Sequence, residues 1–152
     1  AGHFLEQIRA KMRSGDRFLV GIDLRKDRHV LEAAYDDSQG VTSRFNLNLL
    51  TRINRELAGE FDLDSFRHRV HYDEDSGSVE SFLESQSDQR VSIAEIGLET
   101  QFERRERIHT EDSHKYSLEE IDALADQAGL AVEARYTDSA ERFSLNLFRP
   151  AP

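Results

Sequence analysis

The apolar run Phe18-Leu19-Val20-Gly21-Ile22 has no polar residue at alternate positions. Such a run suits a strand buried on both faces, as in a parallel sheet, rather than a strand with one wet side. Ahead of it, Phe4, Leu5, Ile8 and Met12 recur at helical spacing, and Ser14-Gly15-Asp16 ends the pattern. Helix, glycine turn and buried strand make an α/β unit. A strand buried on both faces needs neighbours on both sides, so the chain reads as part of a larger fold.

The middle differs in kind. Residues 28–35 read as a short helix that ends in the polar turn Asp36-Asp37-Ser38-Gln39-Gly40. Thr42 or Ser43 is the expected cap of a longer helix with Phe45, Leu49, Leu50, Ile53 and Leu57 on one face. Asn46 projects into that face, where a buried amide must find hydrogen-bond partners, either backbone groups or a ligand. Gly59 is expected to stop this helix, and 62–66 to form a linker. His68, Val70 and Tyr72 then alternate with polar residues, as do Val79, Ser81 and Leu83 beyond the turn 73–77. With 90–93, 98–102 and 107–110 they predict an antiparallel meander of about four or five strands, apolar on one face and charged on the other. The end returns to α/β character. Ser117-Leu118-Glu119-Glu120 is a capping box, Gly129 an expected left-handed cap, and 130–136 and 143–147 read as strands.

Composition narrows the function. With 152 residues and 38% apolar residues the chain is one domain or part of one. It carries 30 acidic against 20 basic residues, a net charge of −10, and no basic run longer than Arg104-Arg105. A nucleic-acid backbone binder needs the opposite balance. No apolar stretch is long enough to span a bilayer, and no signal-peptide pattern opens the chain, so the expectation is a cytoplasmic protein without a membrane partner. There is no cysteine, which excludes disulfides, thiolate metal sites and a cysteine nucleophile.

Few residues suggest chemistry by spacing. His68 and His71, three apart on a strand, fall on opposite faces and make poor co-ligands. His109, Glu111 and Ser113 could share a face, but a metal needs three or four convergent ligands, and none is expected here. No Gly-x-Ser-x-Gly elbow supports a serine triad, and the glycines are too scattered for a nucleotide-cradling loop. Tyr35 at a helix end, and a carboxylate and a hydroxyl two residues apart at Glu111 and Ser113, could serve a planar ligand with two nitrogens. A solvated acidic loop is the plainer reading of the same residues.

Several words of the sequence, taken in order, carry a resemblance. They are Gly15-Asp16-Arg17-Phe18-Leu19-Val20-Gly21-Ile22-Asp23-Leu24-Arg25-Lys26-Asp27, Leu31-Glu32-Ala33-Ala34-Tyr35-Asp36-Asp37, Gly40-Val41-Thr42 and Phe45-Asn46-Leu47-Asn48-Leu49-Leu50. Arg52-Ile53-Asn54-Arg55-Glu56-Leu57, Phe61-Asp62-Leu63-Asp64-Ser65-Phe66 and Ile108-His109-Thr110-Glu111-Asp112-Ser113-His114-Lys115-Tyr116 follow. Together they resemble the histidine-specific S-adenosylmethionine (SAM)-dependent methyltransferase family, which includes the histidine Nα-methyltransferase of ergothioneine biosynthesis.

The resemblance implies the C-terminal part of a Rossmann-like methyltransferase domain with an inserted α+β substrate-binding domain, its helices packed with an antiparallel meander. Residues 1–24 would be a late helix and strand of the methyltransferase domain, 25–115 the substrate domain, and 116–152 the closing helix and strand pair. By the same likeness Tyr35 helps hold the substrate α-carboxylate, and Glu111 and Ser113 hydrogen-bond its imidazole. Ser81 stands where the family usually has a methionine lining the imidazole pocket, implying a wider, wetter pocket. Asn46 belongs to a family motif without an assigned contact. These residues orient a substrate, and none is expected to be a catalytic nucleophile. SAM would belong to the intact protein, and this chain is expected to be a fragment that lacks the donor site. The alternatives are a non-catalytic amino-acid-binding module and an interaction domain that dimerises through the strand edge at 18–22.

Overall fold

The computed structural model describes residues 1–152 throughout. In chain order the elements are α1 (Gly2–Lys11), β1 (Phe18–Asp23), α2 (Arg28–Tyr35), α3 (Val41–Leu57), β2 (Phe66–Asp73), β3 (Ser78–Ser85), β4 (Gln89–Ile93), β5 (Leu98–Phe102), β6 (Arg107–His114), α4 (Leu118–Gln127), β7 (Leu130–Thr137) and β8 (Phe143–Pro150). They form a mixed α/β chain with small, mostly antiparallel sheets. Two units divide it: residues 1–26 with 114–152, and residues 27–113. No helix is long and apolar enough to cross a membrane.

In the first unit β8 lies between β1 and β7, antiparallel to both. Leu5 of α1 and Ile121 and Ala125 of α4 bury against Leu24, Leu130 and Phe148. The capping box forms as its spacing predicts, with Ser117 and Glu120 each accepting the other's backbone N–H. Gly129 takes φ +69°, a left-handed conformation that costs glycine little. Within this chain β1, expected as a strand buried on both faces in a parallel sheet, stands at the sheet edge. It pairs antiparallel with β8 alone, and Leu19 is 57% exposed. Its inward residues Phe18, Val20 and Ile22 pack on the core, whereas Leu19 shares an open face with Phe143 and Leu145.

One carboxylate gathers two cations in this unit. Asp23, at the end of β1, pairs with Lys26 and, at 2.9 Å, with Lys115, whose side chain is 2% exposed. Burial pushes the Asp23 carboxyl up, but the two ammonium groups outweigh it and hold the group below its ordinary value.

The second unit holds α2, α3 and the remaining strands. The expected single meander splits in two. β2, β3 and β6 form one sheet, in that order, and β4 and β5 form a separate hairpin. Ser85 N–H donates to Glu106 O and Thr110 Oγ1 to Ser81 O, so β6 runs back along β3. The split lets Leu50 of α3 bury against both groups of strands, with Phe66 and Leu83 from one and Val91 and Ile93 from the other.

Helix α3 departs from expectation at three points. Its cap is neither Thr42 nor Ser43. Gly40 precedes it at φ +65°, and the Asp37 carboxylate accepts from the N–H groups of Val41 and Thr42. Its buried face is Asn46 and Leu50, with Leu47, Ile53 and Leu57 packed beside, while Phe45 is 73% exposed. Its end falls before Gly59, with Ala58 in the left-handed conformation. Gly59 serves close packing instead, since a Cβ there would lie 3.0 Å from Asn54 Oδ1 and Ile53 Cγ2.

Two measurements test these anchors. Asp23→Asn takes a charged partner from buried Lys115 and is expected to cost about 1–3 kcal/mol, read as a lower urea midpoint at unchanged m-value. Asp37 is held down to about 2, first by its hydrogen bonds from Thr42 and Val41. A depressed carboxyl stabilises above its unfolded value of about 3.9 and loses that contribution as pH falls toward the folded value. Amide exchange at Val41 and Thr42 should therefore lose protection between about pH 4 and pH 2, and Asp37→Asn should abolish this pH dependence.

Candidate functional site

Helix α2 is short and is pinned at several points. Asp27 caps it by accepting from His29 N–H at 2.8 Å. Leu31 buries against Tyr72 and Val79, and Glu32 Oε1 accepts from Tyr72 N–H at 3.2 Å. Tyr35, its last residue, is held at both its backbone and its side chain. The phenol oxygen lies 2.7 Å from Ser113 Oγ on β6, and the carbonyl oxygen lies 2.8 Å from His68 Nε2 on β2. His68 Nδ1 lies 2.9 Å from Asn46 Nδ2, which also donates to Phe82 O at 3.3 Å.

Strand β6 breaks its alternation where the site residues lie. His109 Nε2 and Asp112 Oδ1 are 2.8 Å apart, a side-chain contact between residues that a regular strand turns to opposite faces. His109 is thus turned to Asp112 and to the Phe82 ring, 5.2 Å away, and does not join Ser113 as expected. Ser113 instead meets Tyr35.

Beside this point a cavity of about 220 Å³ opens between α3 and β6, walled by Phe45, Asn46, Leu49, Arg52, Thr110 and Glu111. Ligand pockets for drug-sized molecules usually run to roughly 300–1,000 Å³, so this one is on the scale of a single amino acid. It presents an aromatic wall, a carboxylate, a guanidinium and an amide. Arg52 is itself paired with Glu56 at 3.1 Å, and its guanidinium, with that of Arg55, holds the Glu56 carboxyl at about 2.

The residues singled out from the sequence divide as follows. Tyr35 and Ser113 are in direct contact. Glu111, two residues before Ser113, walls the cavity together with Asn46, whereas Tyr35 and Ser113 lie outside its walls. Asn46 is buried and bonded to both a side chain and a backbone carbonyl. Ser81 is 3% exposed, opposite Val70, and its carbonyl accepts from Thr110; it is not part of the cavity wall. Sequence reasoning missed Arg52 and His68 and took Phe45 and Leu49 for core. Phe45 and Leu49 sit one position around α3 from the buried Asn46–Leu50 stripe, an offset that periodicity alone does not resolve.

No three His, Cys, Asp or Glu side chains come close enough to hold a metal ion. The methyl donor that the resemblance implies finds no fit in the first unit. The cavity there, about 130 Å³, is lined by apolar side chains such as Phe4, Leu5, Val20, Ile22 and Phe148, and Tyr116 is its one polar side chain, too little to match ribose hydroxyls and a charged amino-acid end.

A family model described as histidine-specific methyltransferase, SAM-dependent, matches residues 1–150. The histidine N-alpha-methyltransferase of Mycolicibacterium smegmatis is 40% identical over 144 residues, covering 95% of this chain and 45% of that protein. The enzyme of the same name from Mycobacterium tuberculosis is 39% identical over 144 residues, with the same coverage. The L-tryptophan methyltransferase trpM of Psilocybe serbica is 27% identical over 145 residues, covering 93% of this chain and 40% of that protein. The chain thus spans less than half the length of the curated relatives it matches. With the family model running over nearly every residue, the chain belongs to the histidine-specific, SAM-dependent methyltransferase family.

Proposed function

We propose that residues 25–115 are the acceptor-binding part of an amino-acid Nα-methyltransferase acting on L-histidine or a close relative, with residues 1–24 and 116–152 belonging to its Rossmann-like methyltransferase domain. The observation that carries this reading is the Tyr35–Ser113 hydroxyl contact, 2.7 Å long, two residues along β6 from the Glu111 carboxylate at an aromatic-walled cavity. An imidazole offers one N–H and one lone pair. A carboxylate accepts from the first, and a hydroxyl serves the second. The names of the two mycobacterial relatives support histidine as acceptor.

SAM, when bound, supplies a methyl group on a sulfonium. What this chain does is hold the acceptor. An amine attacks only as the neutral base, in line, so the contribution of the binding residues is orientation and charge placement rather than covalent chemistry. Glu111 accepts from the imidazole N–H and fixes the ring's tautomer. Tyr35 and Ser113, which bond each other in the free chain, turn to the acceptor carboxylate and to the second ring nitrogen.

The test is labelled methyl transfer from SAM by the intact protein carrying this chain, offered histidine, tryptophan and other amino acids. Nα-methylated histidine or a relative is expected; transfer to no amino acid discards the reading. In that assay Glu111→Gln should raise KM for histidine about 10- to 100-fold with a smaller effect on kcat, the cost of one charge-assisted hydrogen bond. Tyr35→Phe should lower kcat/KM about tenfold and cost about 0.5–1.5 kcal/mol of stability in chemical denaturation, since it also removes the bond to Ser113.

A further inference from the structure

We propose that His68, itself held by Asn46, is a positioning residue that sets where Tyr35 stands, a role that rests on Tyr35 contacting the acceptor. The ring is 7% exposed and Asn46 8%, so neither can rely on bulk water for its hydrogen bonds. Every partner in the relay is constrained. A carbonyl oxygen only accepts, so His68 Nε2, 2.8 Å from Tyr35 O, carries the proton. Nδ1 is then the bare nitrogen and accepts from Asn46 Nδ2 at 2.9 Å, while the same amide nitrogen donates to Phe82 O at 3.3 Å. The chain of donors runs from α3 through the imidazole to the last carbonyl of α2.

That carbonyl is the kind of group a helix leaves without an internal partner. Helix α2 spans only Arg28–Tyr35, far shorter than an isolated helix needs to hold its own end. Asp27 holds its start, and Leu31 and Glu32 hold its middle. His68 holds its end, on the same residue whose phenol meets Ser113. Backbone and side chain of Tyr35 are thus tied to β2 and β6 of one sheet, and a shift of the first displaces the second. Asn46 also walls the cavity, so the relay joins the pocket wall on α3 to Tyr35 at the end of α2.

The first measurement needs no variant. Ring-nitrogen NMR of the native protein should report His68 with its proton on Nε2 and a bare, hydrogen-bonded Nδ1; a proton on Nδ1 overturns the proposal. The second compares His68→Gln, whose amide can still donate to the Tyr35 carbonyl, with His68→Phe, which fills the space and donates nothing. In His68→Phe the Tyr35 ring resonances should lose the signature of the Ser113 contact, and affinity for L-histidine should fall about tenfold. His68→Gln should restore both to within about threefold. Equal losses in the two variants at equal stability, or an undisturbed Tyr35 ring in His68→Phe, overturn it. If His68→Phe fails to fold, the native tautomer and the Gln variant's Tyr35 resonances still decide. Should native protein show no response to histidine at Tyr35 and Ser113, the acceptor reading falls, whereas the tautomer and the ring resonances decide the positioning claim separately.

Discussion

The second unit turns on a histidine that never meets solvent freely. A buried imidazole has two ring nitrogens to satisfy, and in a neutral ring they ask for opposite things: one for an acceptor, one for a donor. His68 finds the acceptor at the end of α2 and the donor on α3, while its own strand pairs with β3 along its whole length. One side chain thereby touches the end of a short helix and the buried face of a long one from an edge strand of the sheet. Rotating α3 by one residue would carry Asn46 out of reach and bring Phe45 inward. The exposure of Phe45 at the cavity and the burial of Asn46 thus go together with the packing of Leu50 on the same face of α3.

The same accounting runs through the charges. An acidic chain can place carboxylates almost anywhere on its surface, but a buried one needs partners. Glu84, its side chain 10% exposed, lies between Arg69 at 3.2 Å and Arg107 at 3.0 Å. Burial pushes its carboxyl up, and the two guanidinium groups more than offset that and leave it below its ordinary value. Arg107 also sits 5.6 Å over the Phe82 ring, with His109 against another part of it. The charged face of the β2-β3-β6 sheet is therefore a knit of cations, carboxylate and aromatic. Asp23 plays the matching part in the first unit, where the chain leaves β1 and where it returns at Lys115.

Local signals were read correctly where the physics is local. The bounds of α2, the Ser117–Glu120 capping box, the left-handed Gly129 and the strands around Val70 and Leu83 all follow from residues a few positions apart. The family words in the sequence found their match over nearly the whole chain. Misreadings arose where a local signal had two outcomes. Asp37, Thr42 and Ser43 could each cap α3, and the aspartate reaches two N–H groups at once. Ala58 or Gly59 could take the left-handed turn, and close packing on Asn54 and Ile53 explains why the glycine is the second of them. Leu19 could be covered or open, because a strand's own residues say nothing of what lies beyond its second face.

By itself the sequence determined most of the elements, the capping box of α4 and the family, since these depend on short-range spacing and on words read in order. The tertiary structure alone decided that β6 pairs with β3 and leaves β4 and β5 apart, that α3 turns Asn46 inward, and that Tyr35 meets Ser113 while His68 holds it from behind. Those outcomes join residues 21 to 78 positions apart. Which of many hydrogen-bonding groups comes to face which across such separations is settled by packing, and no periodicity in the chain records it.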